Sequence, residues 1–130
     1  MAIYAHGAAT AAYGLGAVGL AAEAVVHVQQ FISLFSGVRW IGPLFLLNAV
    51  AIVVVLAGLA YSRTRVAAAV TGVTISALAL GALIISYGTG LFGWQEGGFR
   101  TPITIAMIAE LVAVISLALG MAASTMERSR

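Results

Sequence analysis

Four long apolar runs, each broken by a short polar or glycine-containing stretch, set the pattern of the chain. The breaks fall at residues 31–40, 62–65 and 88–100. Each run is long enough to cross a bilayer as a helix, which takes about 20 residues at ~1.5 Å per residue. The pattern predicts helices over residues 8–32, 41–61, 66–87 and 102–124, with an outer loop at 88–101. Pro43 and Pro102 fall in the first turns of the second and fourth helices, where a missing N–H costs nothing. The first run has no basic segment before it and no small-residue cleavage site after it, so it is expected to stay as a membrane helix. The fold class expected is all-α: one integral membrane four-helix bundle.

The polar residues inside these runs are few, and they are patterned. In helix 1, Ala12, Gly16, Gly19, Glu23, His27 and Gln30 recur at spacings of three and four, so they share one face. One half of that face is small and lets a neighbouring helix approach; the other is polar and needs protein rather than lipid around it. Helix 2 carries Asn48 and helix 4 carries Glu110. Counted back from the predicted helix ends, Glu23, Asn48 and Glu110 fall roughly 10–14 Å below the outer boundary, with His27 and Met107 somewhat shallower. Helix 3 offers only Thr71, Thr74, Ser76 and Ser86, hydroxyls that can bond back to their own helix. The outer loop holds Trp94, Gln95, Glu96 and Arg100 among five glycines. Its aromatic residues and Trp40 are expected at headgroup level. Glu96 and Arg100, four apart, are expected to face solvent or each other.

Composition strengthens the membrane assignment. Hydrophobic residues make up 62% of the chain and charged residues 8%, against about 25% charged in a soluble domain. The six cations are all arginine, and the net charge of +2 is too weak and scattered for nucleic acid. There is no cysteine, hence no disulfide and no thiolate metal site. Arg63, Arg65, Arg128 and Arg130 fall on the side of the termini and Arg39 and Arg100 on the other. The positive-inside rule then puts both termini in the cytoplasm of a multi-pass cell (plasma) membrane protein.

Three chemistries fit the polar layer. The first is a divalent metal held by Glu23, His27 and Glu110, with Met107 leaning the choice towards copper. His6, the other histidine, sits near the opposite end of helix 1, too far to complete a two-histidine haem. The second is proton-coupled binding or transport by a buried acid beside an imidazole. The third is purely structural: Glu23, His27, Asn48 and Glu110 bond one another or a partner subunit and lock helix register. No complete catalytic set accompanies them: no Ser/His/Asp arrangement, paired catalytic acids, His-x-x-Glu-His motif or nucleotide loop.

Two resemblances follow from these residues. Glu23 in a short four-span chain is similar to the single functional acid of the small multidrug resistance exporters. That family's Trp-Ser-Gly-type motif in helix 3 and its basic first loop have no counterpart here, and its helix 4 lacks an acid such as Glu110. A wider resemblance rests on His27, the Trp-x-Gly-Pro-Leu-Phe-Leu-Leu stretch at 40–47, the Tyr-Gly-Thr-Gly-Leu-Phe-Gly-Trp-x-Glu stretch at 87–96, and Glu110. Together these resemble uncharacterised four-span membrane proteins of high-GC Gram-positive bacteria. That resemblance implies the fold and the polar layer but no activity. The function expected is that of a small non-enzymatic accessory or stabilising subunit of a larger membrane complex, such as a respiratory or metal-dependent oxidase. Its partners would be the lipid bilayer and other membrane subunits or further copies of itself. The alternative is a metal- or proton-binding protein, or a small transporter, that uses the Glu/His site.

Overall fold

The computed structural model describes residues 2–129, with side chains from Gly7 onward. Arg130, and the side chain of His6 with the haem geometry considered for it, lie outside the described residues. The chain is all-helical: α1 (Ala2–Gln30), a π-helical turn (Phe31–Phe35), α2 (Ile41–Ala60), α3 (Arg65–Tyr87) and α4 (Thr101–Arg128). All four α-helices are long and apolar enough to span a membrane. α1 starts earlier than the pattern predicts and α4 ends later, because Thr125, Met126 and Glu127 carry no helix-breaking signal. Arg65 rather than Val66 opens α3, and its Nε donates to the Leu59 carbonyl at the end of α2 (2.9 Å).

The helices form a ring in which α1 neighbours α2 and α4, and α3 neighbours the same two. α1 and α4 pack most extensively, and no Cα pair of α2 and α4 comes within 8 Å. Glycines set the close approaches. A Cβ on Gly19 would lie 2.8 Å from both the Ala109 carbonyl oxygen and the Ala113 nitrogen, so α1 and α4 touch backbone to backbone there. Glu23 is one turn further along α1, and Glu110 lies in the α4 segment that Gly19 meets. The Gly19 contact is therefore what brings the two acids together. Gly19→Ala should cost about 1–3 kcal/mol, since rigid backbone cannot move aside as a flexible side chain would. A lowered melting temperature of the detergent-solubilised protein would show it.

The half of the bundle nearer the termini is closed. Gly72 of α3 allows Leu117, Val55 and Leu20 to converge on it; a Cβ there would sit 2.9, 3.2 and 3.3 Å from their side chains. Leu20, Ile52, Ala69, Ala113 and Leu117 fill this region and are fully buried. Towards the loop end the helices spread apart.

The loop end has its own order. The π-helical turn after α1 directs Phe35 inward, where it is buried. Residues 91–94 make a tight reversal, with Leu91 and Trp94 exchanging backbone hydrogen bonds (2.7 and 2.8 Å). Phe92 and Gly93 at its centre have φ of 48° and 82°, the positive-φ pair of a type I′ turn. Further bonds tie the loop to the end of α3: Glu96 N–H to Ser86 O (2.9 Å) and Tyr87 Oη–H to Gly98 O (2.9 Å).

Candidate functional site

Glu23 is fully buried and anchors three helices. Asn48 Nδ2 donates to its Oε1 (3.0 Å) and Ser76 Oγ to its Oε2 (2.6 Å). Ser76 therefore does not bond back to its own helix as the sequence suggested, although Thr71, Thr74 and Ser86 do. A hydroxyl that turns away from its helix needs a stronger acceptor than a backbone carbonyl, and the carboxylate supplies one.

His27 lies one turn above Glu23, and its Nδ1 is 2.9 Å from the Glu23 backbone oxygen. A carbonyl oxygen only accepts, so Nδ1 carries the proton and, in the neutral ring, Nε2 keeps a lone pair. Glu110 is 2% exposed. Its Oε2 is buried with no hydrogen-bond partner, and the same holds for Asn48 Oδ1. One carboxylate oxygen of Glu23, one of Glu110 and one ring nitrogen of His27 all lie within 4.8 Å of one another. The three spans thus bring Glu23, Asn48 and Glu110 to one level, with His27 beside them. Two ionised carboxylates this close repel by roughly 3–4 kcal/mol at an effective dielectric of 20. Two oxygens and an imidazole nitrogen suit a borderline or hard divalent ion. Met107 is half-buried and is not among the residues that line the cavity over the cluster.

A cavity of about 570 Å³ opens between the spread helices on the loop side of the cluster. Its floor is polar, with His27, Asn48 and Glu110 facing it while Glu23 stays behind them. Its walls are almost wholly apolar, including Leu44 and Ala51 of α2, Leu78 and Ala82 of α3, and Ile103 and Ala106 of α4. Aromatic rings climb one side in contact. His27 packs on Phe45 (4.7 Å between centroids), Phe45 on Phe35 (4.7 Å), and Phe35 edge-on to Trp94 (5.0 Å). Trp94 turns towards the bundle and meets Phe35, while Phe92 and Phe99 stay exposed.

The mouth is charged. Arg100 Nη2 pairs with Glu96 Oε2 (3.1 Å), and Arg100 Nη1 donates to Oε1 of the buried Gln30 (2.9 Å). Trp94 Nε1–H reaches Glu96 Oε2 at 3.4 Å. These bonds hold the outer loop against α1. Gln95 is exposed and donates to the Gly88 carbonyl (3.1 Å), away from the cavity. Neither the cavity nor the Gln30–Arg100 bridge was foreseen from sequence. The only signal for the bridge is that Gln30 continues the Glu23–His27 face.

Comparison with family models, with curated proteins and with solved structures finds no match to this chain.

Proposed function

We propose that this is a multi-pass protein of the cell membrane, termini in the cytoplasm, that binds a cation at the Glu23–His27–Glu110 cluster. The cation reaches the cluster through the loop-end cavity, as in a binding protein or the binding step of a small transporter. The observation that carries this reading is the unpartnered, buried Oε2 of Glu110, within reach of a second carboxylate and an imidazole. A buried acid left without a donor is costly in a bilayer and marks a functional group by default. The arginine distribution supports the orientation. An accessory-subunit role, in a respiratory or metal-dependent oxidase, is compatible with this reading, and chains that co-purify in mild detergent would identify that complex.

The test is proton release. A cation held by carboxylates competes with protons for them, so its binding is read as protons displaced. Adding Mn²⁺ or an organic ammonium to weakly buffered protein in neutral detergent should release roughly one proton per chain. Glu110→Gln should abolish the release. If neither cation releases a proton from folded wild-type protein, the reading is wrong.

A further inference from the structure

We infer that the cation is the ammonium head of an amphipathic organic ligand whose apolar body occupies the cavity. This deepens the proposed function and rests on it. The inference comes from matching donors to acceptors and size to lining.

The floor offers acceptors without donors. Glu110 Oε2 and Asn48 Oδ1 have no partner, and the Nε2 lone pair of His27 is left over once Nδ1 has bonded to the backbone. Asn48 spends its Nδ2 on Glu23, which leaves its buried oxygen without a donor. A primary ammonium carries three N–H donors and one positive charge. It would satisfy these three acceptors and balance Glu110, with Glu23 adding a second negative charge from behind.

The volume decides against an ion alone. About 570 Å³ falls within the range of cavities that take drug-sized ligands, and far exceeds what a hydrated ion needs. Water filling it would face apolar walls over most of its surface, with few groups to bond. An aliphatic or aryl-alkyl body would instead meet Leu44, Leu78 and Ile103 on the walls and pass along the Phe45–Phe35–Trp94 rings. The same rings would favour a cation on its way to the floor. At the mouth Glu96 is already paired with Arg100, so the free negative charge lies at the bottom.

Trp94 lines the cavity and provides the readout, in a Trp40→Phe background. The probes are 4-phenylbutylamine, the matched alcohol 4-phenylbutanol, and Mn²⁺, each titrated in neutral maltoside detergent. The amine should bind at least about tenfold more tightly than the alcohol, as expected for a charge-assisted bond in a dry site. Glu110→Gln should erase that preference and leave alcohol binding unchanged. Ala79→Phe, which adds bulk to the α3 wall of the cavity, should block both organic probes and spare Mn²⁺. Equal affinity for amine and alcohol in the wild type would overturn the inference. So would binding of Mn²⁺ without the amine, which would leave cation binding itself standing. Failure of all three probes would remove both.

Discussion

Glu23→Ala should destabilise the bundle by roughly 3–5 kcal/mol, the size expected when one partner of a buried charged contact is removed. An average hydrogen bond between membrane helices contributes only about 0.6 kcal/mol, because the separated helices find other partners. Glu23 should exceed that for two reasons. Its bonds from Asn48 and Ser76 are made by a carboxylate and tie α1 to both α2 and α3. Its removal also strands the Asn48 and Ser76 donors and leaves a void at a fully buried position. Glu23→Gln is the control. The amide keeps an oxygen for Asn48, and the Ser76 hydroxyl can rotate to accept from the new N–H, so most of the stability should survive. Thermal unfolding of the two variants in the same detergent tests the difference. Equal melting temperatures would mean that the network carries no weight.

Glu110→Met should do the opposite. Its Oε2 has no partner, and one of its carboxylate oxygens stands within 4.8 Å of one from Glu23, so its burial is a net cost. A methionine of similar length replaces that cost with apolar contact against Ile103 and Ala106. Exchanges of this kind are often neutral or stabilising by about 1–4 kcal/mol. The variant should therefore melt at or above the wild-type temperature while losing cation-dependent proton release entirely. Two acids on one site would then have opposite effects on stability, one structural and one functional. A Glu110→Met protein that unfolds would show instead that the acid has a structural partner, and the binding proposal would lose its main support.

The sequence carried the four spans and the shared level of Glu23, Asn48 and Glu110, because in lipid each rare polar residue stands out against an apolar background. It also carried the inward face of α1, since Gly16, Gly19, Glu23, His27 and Gln30 keep helical spacing and nearly all pack against the bundle. Ser76 was lost because a serine in a helix is usually satisfied locally. Its match in depth to Glu23 was the missed clue. The cavity could not be read at all, because it depends on how the four helices cross rather than on any one residue. The inward turn of Trp94 depends on the reversal at Phe92–Gly93 and on the π-helical turn that delivers Phe35. Neither leaves a periodic signal.

The plug around Gly72 has an electrical consequence. Leu20, Ile52, Ala69 and Leu117 offer no polar side-chain atom, so a chain of water molecules has nothing to hold it between Glu23 and the terminal end. In the proposed reading, a proton that reaches the acids through the cavity finds no polar side chain in this plug to carry it further. In the same reading, net passage of a solute would require the Leu20–Val55–Leu117 contact on Gly72 to part.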